Sequence, residues 1–268
     1  MGLLDQIVAH RKEAVRARSG IVRRRELRAR IADAPPPRGF SAALSSGAQT
    51  TPRLIAEVKK ASPSAGVIRA DFDPVRIAQI YADRGASALS ILTESHFFLG
   101  HSDHLAAVRA KVSLPILQKD FIVDDFQIDE ARALGADACL LIAALLTPQQ
   151  IQDYFHLARA LSLDVLVEVH NERELESVVE WAPLIGMNNR DLATFTTDIA
   201  TTFRLLSLIP PALRKRCLVV SESGIRSRAD IERLHTAGID AVLIGESLMA
   251  AGDIAGKIAE LFCDDLLR

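Results

Sequence analysis

The stretch Ile55–Ser64 reads IAEVKKASPS, a strand-like run that carries Glu57, Lys59 and Lys60 before the chain turns at Pro63. Lys119 follows Pro115-Ile116-Leu117-Gln118, and Glu168 follows Leu166-Val167 just ahead of His170. Lysines and glutamates around one cavity do acid–base work. An ammonium gives a proton or balances charge developing on an oxygen, and a carboxylate takes a proton. Alternation along a strand puts Ile55, Glu57 and Lys59 on one face and Leu54, Ala56, Val58 and Lys60 on the other. A solvated edge strand with an ordinary ion pair accounts for the first stretch alone, but not for the recurrence of the pattern.

The elements that must position these residues recur from Arg53 onward. Short apolar runs start at Leu54, Ser87, Leu114, Asp137, Asp164, Pro183, Cys217 and Asp240. Helical patterns separate them, as at Pro74 to Arg84, Phe126 to Leu134 and Ala229 to Ala237. Gly85, Gly135 and Gly238 stand where a helix ends just before the next strand. Eight strand–helix units of this size predict a (β/α)₈ TIM barrel of the α/β class, and no G-x-G-x-x-G turn supports a doubly wound sheet instead. The barrel is expected over about residues 51–268, with a helical extension and a Pro/Ser/Gly-rich linker over about 1–50, the whole forming a single domain. The arginine-rich stretch Arg16–Arg30 reads as a solvated helical face.

In such a barrel the strand ends form the active site, and here they are polar. Glu57 and Lys59 end the first strand, Thr93 and Glu94 the second, and Lys119 and Asp120 the third. Glu168 and His170 end the fifth, Asn188, Asn189 and Arg190 the sixth, and Ser221, Glu222 and Ser223 the seventh. The turns Ser221-Glu222-Ser223-Gly224-Ile225 and Leu243-Ile244-Gly245-Glu246-Ser247 put small residues after the last two strands, where backbone N–H groups can cradle a phosphate. His96, His101 and His104 lack zinc-ligand spacing and read as surface histidines, so no metal is expected.

With 268 residues, a formal net charge of -2 and 5% aromatic residues, the chain has neither the cationic excess nor the stacking platform of a nucleic-acid binder. No apolar run reaches a membrane span, and the N-terminal stretch lacks the apolar core of a signal peptide. Cys139, Cys217 and Cys263 are too few and too scattered for a disulfide framework, so a reducing cytoplasm is expected.

At IAEVKKASPS, PILQKDFI (Pro115 to Ile122), LVEVH (Leu166 to His170), IGMNNRDL (Ile185 to Leu192), VSESGI (Val220 to Ile225) and LIGESLM (Leu243 to Met249), the chain resembles the indole-3-glycerol phosphate synthase family. The resemblance covers essentially the whole chain, and six motifs in the right order make it specific. The resemblance implies a lyase of tryptophan biosynthesis. It would close the indole ring of 1-(2-carboxyphenylamino)-1-deoxyribulose 5-phosphate with loss of carbon dioxide and water, using no cofactor. It implies that Lys119 is the general acid, that Glu57 and Glu168 are acid–base carboxylates, and that Lys59 pairs with the substrate carboxylate and assists a later proton transfer. Asn188 and Ser223 would hydrogen-bond the reacting region. Ser62, Arg190, Gly224, Gly245 and Glu246 would form the substrate and phosphate pocket, with Phe121 against the aromatic ring. The implied partner is this small phosphorylated substrate, bound by a monomer or weak homo-oligomer. Ala65 and His101 depart from the family pattern, which commonly has lysine and serine there. Two alternatives are a phosphoribosylanthranilate isomerase-like barrel, which would not use both lysines, and a non-catalytic phosphate-binding barrel, whose usual sign is a lost catalytic side chain. No such loss is found.

Overall fold

The computed structural model describes residues 2–45, 50–192, 194 and 196–263. Eight parallel strands close a barrel: β1 Arg53–Val58, β2 Ala88–Leu92, β3 Ile116–Lys119, β4 Ala138–Ile142, β5 Asp164–Val169, β6 Leu184–Asn188, β7 Leu218–Glu222 and β8 Ala241–Ile244. Each pairs with its neighbours in sequence, and β8 closes on β1 through Arg53↔Ala241 to Ala56↔Ile244. All eight lie within a few residues of the predicted runs, and the fold is the expected TIM barrel.

Strand alternation divides the core in two. Ile55, Ala88, Leu117, Leu166, Leu184 and Val220 fill the barrel, while Leu54, Ala56, Val58, Leu89 and Ile91 face the surrounding helices. The helices start on caps that meet their free N–H groups. The Asp73 carboxylate accepts from Val75 N and Arg76 N at the start of α4 (Pro74–Asp83), and the Thr147 hydroxyl accepts from Gln150 N at the start of α7 (Pro148–Ala160). Gly85, Gly135 and Gly238 follow helices at φ 77°, 85° and 82°, the left-handed cap their positions predicted.

The extension departs from its sequence reading in three ways. It is two helices, α1 Leu3–Ile21 and α2 Arg24–Asp33, separated by extended backbone at Val22 and Arg23. This turn lets Val15 and Leu27 pack on Phe126 of α6 (Phe126–Ala133). The arginine run is also more than a solvated face. Arg18 forks onto the Glu130 carboxylate at 3.0 and 2.7 Å, and Arg24 pairs with Asp125, both acids being on or beside α6. Finally, the linker holds a helix, α3 Phe40–Ser45, whose Phe40 and Leu44 are fully buried beneath the barrel core. Carboxylates at two strand starts bind its entry: Asp137 accepts from Arg38 N at 2.6 Å and Asp164 from Ser41 N at 2.8 Å. Positions 46–49 of the linker lie outside the described residues. Among the described residues no helix is long and apolar enough to cross a membrane.

Candidate active site

The inward ladders that fill the barrel continue to its C-terminal mouth and there become charged. Ile55 leads to Glu57 and Lys59, Leu117 to Lys119, Leu166 to Glu168, Leu184 to Asn188, and Val220 to Glu222. These side chains line a cavity of about 550 Å³. Leu4 and Ile7 of α1 also line it, so the extension forms part of the wall.

Lys119 stands at the centre. Its Nζ donates to Glu168 Oε2 at 2.7 Å and lies 3.6 Å from Glu222 Oε2. Burial works against the ammonium, but the Glu168 carboxylate above all, with Glu222 and Glu57, outweighs it and raises the lysine's pKa. Burial would likewise raise Glu168, yet Lys119 and His170 hold it well below the usual carboxylate range. Glu222 goes the other way. Burial and the Glu168 charge push it up to about 8 against the pull of Lys119, so it keeps a proton at neutral pH. The cavity thus holds an anionic and a neutral carboxyl around one lysine.

A second pair sits across the mouth on β1, where Lys59 Nζ lies 2.8 Å from Glu57 Oε1. Asn188 Nδ2 donates to Glu168 Oε1 at 3.1 Å, and Asn188 Oδ1 accepts from Arg190 N at 3.0 Å. Arg190 bridges outward, donating to Ser64 Oγ at 2.7 Å and Glu246 Oε2 at 2.8 Å. Ser62 is buried, its Oγ accepting from Ala65 N at 3.2 Å, which gives Ala65 a turn role that its backbone supplies. Phe121 packs on Phe98 with ring centroids 5.8 Å apart. Ser223 and Gly224 are both left-handed, at φ 68° and 77°; for a serine this is a strained conformation, set at the cavity edge. Gly245 and Glu246 open α12 (Glu246–Met249) on the same side. The residues to which the resemblance gives catalytic or binding roles line the cavity, whereas the polar strand ends Thr93, Glu94, His170, Asn189 and Ser221 do not.

Three features escaped the sequence reading. Glu222 was noted as a polar strand end but given no role, although alternation from Val220 aims it inward. Gly186 sits inside β6, and a side chain there would collide with Glu222 Oε1; a glycine within a strand is the signal of such a close approach. His170 lies 3.1 Å from Glu168 Oε1 through Nε2 and 3.1 Å from Glu174 Oε2 through Nδ1. Of the three loop histidines, His96 and His101 are exposed, and His104 is half-buried against Phe72. His101 caps α5 (Ser102–Arg109), its Nδ1 accepting from Asp103 N at 3.2 Å, a task a serine hydroxyl also performs.

The sequence model for indole-3-glycerol phosphate synthase matches residues 4–261. An indole-3-glycerol phosphate synthase of Acidithiobacillus ferrooxidans is 48% identical over 264 residues, covering 98% of this chain and 99% of the relative. That of Dehalococcoides mccartyi (strain CBDB1) is 56% identical over 213 residues, covering 78% and 81%. Among solved structures, 3-hexulose-6-phosphate synthase from Salmonella typhimurium matches with a TM-score of 0.61 at 16% identity, over 80% of this chain and 99% of that one. A tryptophan synthase alpha-subunit from Pyrococcus furiosus matches with a TM-score of 0.60 at 14% identity, over 81% and 100%. Those two share the barrel fold alone, whereas the family model spans residues 4–261 and the Acidithiobacillus relative aligns over 98% of the chain at 48% identity: it belongs to the indole-3-glycerol phosphate synthase family.

Proposed function

We propose that this cavity converts 1-(2-carboxyphenylamino)-1-deoxyribulose 5-phosphate to indole-3-glycerol phosphate, carbon dioxide and water, with two lysine–glutamate pairs dividing the proton transfers. The observation that carries this reading is the separation of the acid groups into Lys119–Glu168 at 2.7 Å and Lys59–Glu57 at 2.8 Å. In ring closure the aromatic carbon attacks the ketone, and the developing alkoxide takes a proton from Lys119. The lysine is held charged, but an alkoxide is the stronger base, so the transfer follows bond formation. Carbon dioxide then leaves its bonding pair to the ring. In dehydration the new hydroxyl departs as water with a proton from Lys59, and Glu57 takes the proton from the adjacent carbon.

The remaining groups have supporting roles. Glu168, bound by Lys119 and Asn188, is a poor proton acceptor and serves as the fixed anion that aims Lys119. Glu222, protonated at neutral pH and 3.6 Å from Lys119 Nζ, returns the proton that Lys119 spends. Before decarboxylation Lys59 meets the substrate carboxylate, Asn188 and Ser223 face the reacting region, and Phe121 packs on the aromatic ring. The phosphate lies at the end of the cavity formed by Ser62, Arg190, Gly224, Gly245 and Glu246.

The extension contributes Leu4 and Ile7 to the cavity wall of its own barrel, which fits action as a monomer or weak homo-oligomer. Cys139, Cys217 and Cys263 are free thiols, which supports a cytoplasmic setting. The test is to mix the purified protein with the substrate and follow indole fluorescence, before and after exhaustive chelation. Turnover is expected in both. Absence of fluorescence overturns the reaction, and a loss restored by a divalent ion overturns the lysine-only source of positive charge.

A further inference from the structure

Behind Glu168 lies a second layer of charge that ring closure and dehydration as described above do not use. His170 follows Glu168 by two residues, and its ring is almost wholly buried between two carboxylates. Nε2 is 3.1 Å from Glu168 Oε1 on the cavity side, and Nδ1 is 3.1 Å from Glu174 Oε2 on the helix side, with side-chain exposures of 9%, 2% and 16% for His170, Glu168 and Glu174. Glu174 is itself immobilised. Its Oε2 accepts from His170 N at 2.8 Å, its Oε1 accepts from Asn171 Nδ2 at 2.6 Å, and its own N–H donates to Asn171 Oδ1 at 3.0 Å. These bonds cap α8 (Glu172–Val178) and lock the turn that follows β5. A carboxylate–imidazole–carboxylate line therefore runs from a rigid helix start into the catalytic cavity.

We propose that His170, carried by Glu174, is a positioning residue that fixes Glu168 as an oriented anion, so that Lys119 stays aimed at the reacting carbonyl. The inference rests on the assignment of Lys119 as the acid. The geometry supports it from both sides. Glu168 Oε2 accepts from Lys119 and Oε1 from Asn188 Nδ2, which sets the plane of the group, and His170 Nε2 stands 3.1 Å from Oε1 as an ion-pair contact outside hydrogen-bond geometry. Were His170 only a packing residue, a polar ring buried between two carboxylates that already have other donors would be a costly choice over an apolar side chain. The groups facing this line are Glu168 on β5, Lys119 on β3, Asn188 on β6, Glu222 on β7 and Glu174 on α8. Burial disfavours a charged His170, but Glu168 and Glu174 overcome it and raise the imidazole to about 9, so it is a cation at neutral pH.

The experiment uses the full chain and two variants, His170→Asn and Glu174→Gln. His170→Asn should lower kcat by roughly 10–100-fold, the scale of a misaimed catalytic group, with KM changed much less. Glu174→Gln keeps the ring but removes its outer anion. The ring should then titrate nearer the ordinary histidine value of about 6.5, followed by NMR with labelled histidine, and the alkaline limb of the kcat profile should move down with it. Melting temperature is recorded for both variants. A lowered melting temperature with wild-type kcat and an unmoved pH profile shows a structural role and overturns the proposal. If His170→Asn does not fold, Glu174→Gln decides alone: parallel movement of the ring titration and the kcat limb upholds the proposal, and movement of the titration without the limb overturns it. Should Lys119→Met retain turnover while Glu174→Gln still shifts the limb, the failure lies in the assignment of Lys119 and not in the clamp on Glu168.

Discussion

The Glu57 carboxylate occupies the space where a side chain on residue 245 would begin, so the bare Cα of Gly245 makes room for a catalytic acid. The backbone at Gly245 is not left-handed, and a need for positive φ is not what keeps a glycine there. Its place in a turn that can cradle a phosphate would by itself predict that a larger residue mainly weakens phosphate binding. Geometry gives a different outcome. Gly245→Ala should displace Glu57 from Lys59, lowering kcat by roughly 10²-fold, while binding of inorganic phosphate changes less. Steady-state kinetics beside phosphate titration checks this, and a pure KM effect would return Gly245 to the phosphate site alone.

Lys119→Met keeps approximate length and removes the proton. It should cut turnover by roughly 10²–10⁴-fold, the usual scale for a positioned acid. Single-turnover rates and melting temperature, measured together, separate this from a merely structural role. A variant that loses stability yet turns over at the wild-type rate would take Lys119 out of the chemistry.

Stability should fall as pH rises above neutrality, for two reasons of the same sign. His170, raised to about 9, contributes stability that is full below its unfolded value of 6.5 and lost as pH rises through about 9. Glu222, raised to about 8, keeps a native-state proton that the unfolded chain releases near 4.5, so stability declines between those values as well. Glu168 acts oppositely: its depressed pKa gives stability above 4.5 that is lost on acidification. Melting temperature plotted against pH should therefore peak on the acid side of neutrality. Glu222→Gln, which mimics the protonated form, should flatten the alkaline decline without abolishing it; an identical decline in the variant would count against a neutral Glu222.

Arg11 donates to Asp120 Oδ2 at 2.5 Å, and their side chains are 5% and 0% exposed. Burial raises the Asp120 carboxyl, and Arg11 offsets this only in part. Arg11→Met leaves that acid without its cation and should cost about 3–5 kcal/mol. Chemical denaturation reads the loss directly, and a change below about 1 kcal/mol would mean that the pair behaves like an exposed one.

Much of this was readable from residues close together in the chain. Glu57, Lys119 and Glu168 each sit two residues beyond an apolar residue on the same face, Lys59 sits two beyond Glu57, and that period is local. The helix ends at Gly85, Gly135 and Gly238 are local as well. What escaped depends on partners far apart in sequence. Arg11 meets Asp120 across 109 positions and Arg18 meets Glu130 across 112, so a basic run that looks solvated finds its acids only after folding. Glu222 could have been placed by alternation, but its protonated state depends on Glu168 and Lys119, which come from other strands.

The helix beneath the barrel has a consequence for the order in which the molecule can assemble. Phe40 and Leu44 leave the ribosome before any strand, yet the surfaces that cover them include β2 near one end of the barrel sequence and β7 near the other. The strands made early can cover them only in part, and their burial is complete only once β7 exists. Part of the base of the barrel is thus translated before the strands that enclose it, which makes the chain's growth, rather than its finished form, the period of greatest exposure to aggregation.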